Sequence, residues 1–220
     1  MLEATFGNAQ TSGISTFECD ITSESSVKSA FKAIDSTSGG QAFPSILINA
    51  AGYVSVQPLE ETSAEEALRN LLPNLLGPFN LSNAFFHLYQ AHRAKANDPA
   101  SAPPGRIVSI SSQASHVALD GHGAYCASKA GLNGLTRCMA TEWGRKGITA
   151  NTVSPTVALT VLGKKAWADE AKRKAHLDQI PTGRFALPEE VAAAIEFLCR
   201  DESGMINGCD VRVDGGYTIR

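Results

Sequence analysis

The sequence predicts an α/β protein with a doubly wound parallel sheet, and three observations carry that expectation. Several short apolar runs, among them SILINAAG, RIVSIS and ITANTVS, are continuous instead of alternating, as strands buried on both faces are. Segments of helical length, with apolar residues three and four apart, separate them. Strand–helix alternation of this kind gives a parallel sheet covered by helices. The 220 residues hold neither internal repeats nor low-complexity stretches, so a single domain over 1–220 is expected, long enough to bury a sizeable core.

Taken in order, ISTFECD over 14–20 alternates enough for a short strand, and a polar-capped helix follows over about 23–36. Pro44 precedes SILINAAG, the first of the buried strands. A helical pattern covers about 64–95, interrupted by Pro73, which costs about 3 kcal/mol inside a helix unless a kink is wanted. ANDPASAPPG is a loop before RIVSIS. From Tyr125 onward Leu132, Leu135, Met139 and Trp143 mark one helical face, and Gly147 suits the C-cap. ITANTVS is the next strand, and 159–177 reads as a lid with a charged helix. Pro188 and two glutamates open a helix with Val191, Ile195 and Leu198 inward, and CDVRVDGG closes the chain as the last strand.

Composition narrows the function. Hydrophobic content of 43% and charged content of 19% are ordinary for a soluble globular protein. A net charge of -3, with no lysine/arginine run, offers no footprint for nucleic acid. No apolar run approaches the length of a membrane span. The N-terminal MLEATFGNAQ has neither a basic region nor a signal-type apolar core, so a cytoplasmic protein is expected. Cys19, Cys126, Cys138, Cys199 and Cys209 are odd in number and scattered, which suits buried small hydrophobes in a reducing compartment. No metal-ligand spacing occurs, and no metal is expected.

The chemistry centres on Ser112, Tyr125 and Lys129. RIVSIS runs into two serines, and a glycine-flanked loop then leads to a helix that carries Tyr125 and Lys129 four residues apart. Residues at that spacing share a helical face, so the ammonium sits within reach of the phenol ring. A phenol titrates near pH 10, and a fixed cation favours the phenolate; bringing it to about 7 takes roughly 4 kcal/mol. A serine hydroxyl at the end of the strand can bond the same substrate oxygen. Such a set moves a proton on or off a carbonyl or an alcohol. A Tyr/Lys pair alone is weak, since it is commonly a half-buried ring beside a snorkelling amine.

The context of the trio resembles the short-chain dehydrogenases/reductases. The landmarks come in order: Asp20 in FECDIT, NAAG at 49–52, Asn74 in NLLG, NTVSP at 151–155 and the terminal VDGGY. The resemblance implies Tyr125 as general acid for ketone reduction and Ser112 as the group that orients the carbonyl. Ser111 competes for that role, but Ser112 lies at the family's usual interval before Tyr125. Lys129 would lower the Tyr125 pKa and hold the nicotinamide ribose, and Asn74 would complete a proton relay through a water on its main-chain carbonyl. Asp20 would contact adenine, while Asn49, Ala50 and Gly52 would line the adenosine ribose. Thr160 would fix the carboxamide, with the Val157 N–H beside it. Asp20 and Thr160 also read as ordinary strand-end and helix-cap residues.

Where the family usually has glycine after Pro155, this chain has Thr156. The segment PTVALTVLGKKAWADEAKRKAHLDQIPTGRF resembles the substrate loop of the L-xylulose (dicarbonyl) reductase branch. That implies NADP(H) in preference to NAD(H), a small ketose or α-dicarbonyl as substrate, and Leu159 and Trp167 as pocket walls. A 3-oxoacyl thioester reductase is the alternative. A homo-oligomer, dimer or tetramer, is expected through the helices at 64–95 and 125–145.

Family members begin with a strand, a T-G-x-x-x-G-x-G turn, a helix and a second strand, roughly 40 to 50 residues that are expected ahead of FECDIT and are not in this sequence. The expectation is therefore an N-terminally truncated, Rossmann-like domain lacking its first strand–helix–strand unit. Its first strand would lie between the strand at 14–20 and the one at Ile46. The glycine clusters present (Gly39-Gly40, Gly121/Gly123 and Gly215-Gly216) do not follow a strand and open a helix. Two function classes stay open: an oxidoreductase, and a non-catalytic partner of longer relatives.

Overall fold

The computed structural model describes residues 14–37, 43–96, 98, 101–161, 163 and 167–219. Four parallel strands form one sheet in the order β1 (Ile46–Asn49), β2 (Gly105–Ile110), β3 (Ile148–Pro155), β4 (Asp210–Val213). Ile46 pairs with Arg106, Asn49 with Ser109, Ile110 with Val153 and Pro155 with Val213. The helices are α1 (Glu24–Thr37), α2 (Ala64–Leu71), α3 (Gly77–Lys95), α4 (Gly123–Trp143), α5 (Glu170–Leu177) and α6 (Pro188–Cys199). The architecture is the expected Rossmann-like one, a parallel sheet flanked by helices.

Side-chain alternation on the strands feeds two cores. Ile107, Ile148 and Ala150 meet Phe85 and Tyr89 of α3 and Met139, Ala140 and Trp143 of α4 on one face. Val108 and Val153 meet Val191 and Leu198 of α6 on the other. The apolar spacing read from the sequence supplies these contacts, since residues three and four apart stack on one side of a helix. Tyr89 anchors the lower end of the sheet: its hydroxyl lies 3.0 Å from the Pro103 carbonyl and 3.1 Å from that of Gly147. Gly147 has φ 87° and closes the turn after α4, and a Cβ there would lie 2.9 Å from the Tyr89 hydroxyl. Only glycine suits both demands.

The proline-bearing stretch resolves into a π-helical turn, Leu72–Leu76, between α2 and α3. The Gly77 N–H donates to the Leu72 carbonyl, five residues back, and Pro73, which has no N–H to give, stands at the start of this wider turn. Pro78 stands four residues after Asn74, where an α-helix would place the donor for the Asn74 carbonyl. That ordinary bond cannot form.

Three expectations fail. Residues 14–20 are irregular, not a strand. A strand persists only where its N–H and C=O groups meet a ladder, and no strand lies beside 14–20 among the described residues. β1 is not buried on both faces: Ile46 is 49% and Ile48 46% exposed, because β1 is the sheet edge among the described residues and α6 packs chiefly over β2, β3 and β4. The cysteines are free but not buried; Cys138 and Cys209 are exposed and the others half-buried. Cys138 precedes inward-facing Met139, and a one-residue step turns a helix by about 100°, off the core. Gly39-Gly40 and the first thirteen residues lie outside the described residues.

Tyr89→Phe removes one hydroxyl that serves two strand-end carbonyls. The expected loss is about 1–2 kcal/mol in the free energy of unfolding. Urea denaturation measures it, and an unchanged midpoint would show that these contacts contribute nothing.

Candidate active site

β2 delivers Ser112. The Ser111 N–H still donates to Val153 at 2.8 Å, extending the ladder, and Ser112 follows in extended backbone. The Ser112 hydroxyl caps a short 3-10 turn, Gln113–Ser115, accepting from the Ala114 N–H at 3.1 Å. Ser115 donates to the Ser112 carbonyl at 2.7 Å and accepts from Asn133 of α4 at 3.0 Å. The serine is thus held from both sides. Ser111 points elsewhere, its hydroxyl reaching the Lys129 carbonyl at 3.4 Å.

α4 delivers Tyr125 and Lys129. The Lys129 ammonium donates to the Ile110 carbonyl at 2.8 Å and lies 5.8 Å from the Tyr125 ring centroid. Lys129 is only 4% exposed, and that burial lowers its pKa to about 8. Burial also raises the Tyr125 pKa; the hydrogen bond with Ser112 pulls it down and Cys126 pushes it up. This corrects the expectation that Lys129 holds the phenol down. Desolvation outweighs the helpful groups, and the ammonium is spent on a carbonyl rather than on the phenol oxygen.

Asn74, fully buried in the π-helical turn, ties the next layer together. Its Oδ1 accepts from the Tyr53 N–H at 2.8 Å, while its Nδ2 donates to the Tyr53 carbonyl at 2.7 Å and to Ser128 Oγ at 3.0 Å. Ser128 in turn donates to the Tyr125 carbonyl at 2.7 Å. Gly52 lies against the same group: a Cβ there would stand 3.0 Å from Asn74 Oδ1 and 3.7 Å from Lys129 Nζ. Asn74, Gly52, Ser112, Tyr125 and Lys129 therefore lie together.

The remaining candidates are more dispersed. Asn49 is buried on β1, bonded through Nδ2 to Ser109 at 3.0 Å, and its Oδ1 has no partner among the described residues. Ala50 beside it is exposed. Asp20 is exposed and accepts from the Thr22 N–H and hydroxyl at 2.9 and 2.7 Å, which lowers its pKa and caps the approach to α1. Val157 and Leu159 flank the bridge between Ala158 and Ala186. Thr160 accepts from the Gly163 N–H at 3.0 Å, and Trp167 packs on His176 and Phe185. No hydrogen bond or ring contact joins these lid residues to Tyr125 among the described residues.

Two neighbours escaped the sequence reading. Ser128 was legible as the residue before Lys129, three after Tyr125, but its bridge to Asn74 needs the fold. His122 donates through Nδ1 to the Asp120 carbonyl at 2.6 Å and sets its ring edge-on to Tyr125 at 6.3 Å. A carbonyl only accepts, so Nδ1 is the donor in this bond.

The site residues suit the nucleoside end of a dinucleotide: Gly52 leaves room only for hydrogen, and Asn49 keeps a buried acceptor unspent. A family model described as enoyl-(acyl carrier protein) reductase matches residues 3–218. The chain is 44% identical to D-threitol dehydrogenase of Mycolicibacterium smegmatis, over 93% of this chain and 73% of that one. It is 40% identical to NAD-dependent glycerol dehydrogenase of Listeria innocua, over 80% of this chain and 65% of the relative. With L-xylulose reductase of Bos taurus the identity is 38%, over 85% and 73%. A gluconate 5-dehydrogenase from Burkholderia cenocepacia, solved in complex with NADP and tartrate, superposes with a TM-score of 0.81 at 27% identity, covering 91% of this chain and 74% of that one.

Buried Lys129 makes a pH-dependent stability prediction. Its pKa falls from 10.5 to about 8 on folding, so its cost is full below pH 8 and is relieved as pH rises toward 10.5. Lys129→Met should unfold about 1–2 kcal/mol less readily at pH 7, the charge penalty exceeding the lost hydrogen bond. The gap should close between pH 8 and 10.5 in denaturant titrations. A variant less stable than the parent at pH 7 would refute this account.

Proposed function

The chain belongs to the short-chain dehydrogenase/reductase family, and we propose that it is an NADP(H)-dependent oxidoreductase acting on a small ketone and the matching secondary alcohol. The observation that carries the reading is the convergence of Ser112, Tyr125 and Lys129 at the end of β2. The nucleotide, when bound, supplies or accepts the hydride. Asn49, Ala50, Gly52, Tyr125, Lys129, Val157 and Thr160 would hold its nucleoside and nicotinamide portions, with Asp20 toward the adenine. The NADP in the gluconate 5-dehydrogenase complex supports NADP(H) over NAD(H).

The chain's own groups handle the proton. Burial keeps Tyr125 protonated through neutral pH, so the phenol stands ready to give its proton to a carbonyl oxygen. Ser112 orients that oxygen by hydrogen bonding. Lys129, near pH 8, is poised to pass a proton toward the phenol. The Asn74 carbonyl, lacking its helical donor because of Pro78, is a seat for the water that links Lys129 to solvent.

The activities for which the similar proteins are named support a polyhydroxylated substrate, a polyol or ketose of the threitol, glycerol or xylulose kind. We place α-dicarbonyls in the same class, with Leu159 and Trp167 as walls. The description of the matching family model favours a second substrate reading, acyl thioesters. A second functional reading, a non-catalytic partner of longer relatives, is favoured by half-exposed Ile46 and Ile48 on the open edge of β1. Leu68 of α2, Leu72 and Leu76 of the π-helical turn and Phe79 of α3 are exposed, and support a dimer or tetramer in either case.

Tyr125→Phe should lower carbonyl reduction 10²- to about 10⁴-fold without altering the far-ultraviolet spectrum. More than about a tenth of the rate surviving would remove Tyr125 from its role. Steady-state rates with xylulose, D-threitol and diacetyl should exceed those with an acetoacetyl thioester; the reverse order selects the thioester reading. Calorimetric titration with NADPH separates enzyme from partner, since the partner reading requires that no binding is seen.

A further inference from the structure

The lid carries an aromatic cluster that the proton chemistry does not use. His176 of α5 stacks on Tyr217 at 4.8 Å and 22°, and tilts against Trp167 at 4.6 Å and 46°. Phe185 closes a third side at 5.9 Å from His176 and 5.4 Å from Trp167. The imidazole is nine-tenths buried, and its Nε2 has no hydrogen-bond partner among the described residues. The same surfaces are joined elsewhere. Tyr217 donates its hydroxyl to Gln179 Oε1 at 3.2 Å, and the Thr182 N–H donates to the Gly215 carbonyl at 3.1 Å. The segment from His176 to Thr182 thus meets the C-terminal turn Tyr217–Ile219 twice through Tyr217 and the residues before it once at Gly215, with His176 between the lid tryptophan and that turn.

We propose that His176 is a positioning residue that fastens the lid, and with it Trp167, to the C-terminal turn by stacking as a neutral imidazole. The role rests on Trp167 walling the substrate pocket. A charged imidazolium would bring an Nε2–H into a nest of rings with no acceptor, a costly burial. The surrounding charges oppose it too. Lys172, on the same helix, lies over the Trp167 ring at 5.1 Å and repels a second cation. The Tyr217 phenol is the titratable group on the C-terminal turn, and Asp214 there is committed to Gly216 and Thr218. Arg184, before Phe185, is held by Glu190, and Asp169, near Trp167, caps α5. Burial, and then Lys172, lower the His176 pKa below its usual 6.5. The sign follows: the fastening is intact above pH 6.5 and is lost as pH falls through the lower, folded-state value.

Tryptophan emission tests the fastening without turnover, since an imidazolium against an indole quenches it. In the full chain, emission should fall on acidification with a midpoint below pH 6.5. The step should be absent in His176→Phe, which keeps a ring in the stack, and in Trp167→Phe, which leaves only Trp143. Persistence of the step in His176→Phe, or no step in the parent, would overturn the proposal. In turnover assays at pH 7.5, His176→Ala should raise KM about tenfold with kcat within about twofold, while His176→Phe stays near the parent and loses the rise of KM in acid. An unchanged KM in His176→Ala, or a fall confined to kcat, also overturns it. A normal emission step with no turnover in any form supports the fastening and defeats the oxidoreductase reading instead.

Discussion

Across the end of β2 the Lys129 ammonium donates to the Ile110 carbonyl, while the Ser111 hydroxyl reaches back to the Lys129 carbonyl. This two-way joint decides how α4 sits on the sheet. It consumes Ser111, leaves Ser112 as the hydroxyl that meets Tyr125, and sets the distance between phenol and amine. A carbonyl at a strand end is an acceptor in need of a partner, and a buried ammonium is a donor that cannot remain alone. Each satisfies the other. Asn74 then extends the joint outward through Ser128 and Tyr53, so that loop, strand and helix share one hydrogen-bonded frame.

The same burial that makes the frame rigid sets its electrostatics. Removing water from Tyr125 and Lys129 disfavours the charged form of both, so the phenol rises and the amine falls. The amine, ordinarily the slightly weaker acid of the two, becomes the stronger, and the two pKa values move apart. An ammonium of that acidity returns a proton downhill to the phenolate that Tyr125 becomes after giving its own proton to a carbonyl oxygen, which suits carbonyl reduction.

Much of this was legible in the sequence, and the failures share a cause. β2, β3, α4 and α6 follow from continuous apolar runs and helical spacing, which are local. Ser112, Tyr125 and Lys129 were found because strand end, loop and helix start lie within one stretch of chain. What could not be read depends on neighbours remote in sequence. Residues 14–20 have strand-like residues but no ladder, β1 has apolar residues but an open edge, and Cys138 is apolar enough for a core its helix turns away from. The direction of the Tyr125 shift belongs to this group, since spacing reveals a nearby cation but not how much water is left. Trp167 is similar: its presence in the lid was visible, its contacts with His176 and Phe185 were not.

The π-helical turn Leu72–Leu76 deserves to be seen as a phase shift. One residue beyond the α-helical count rotates everything downstream by about 100° relative to everything upstream. α2 and α3 therefore behave as two cams on one shaft. The upstream cam presents Glu66 and Asn70 to Tyr53 and Ser55, gripping the loop over the site. The downstream cam presents Phe85 and Tyr89 to the sheet. Neither timing constrains the other, so the loop grip can be retuned by substitution in α2 while the core contacts of α3 stay fixed, whereas deletion of a single residue in the turn would put one of the two out of step.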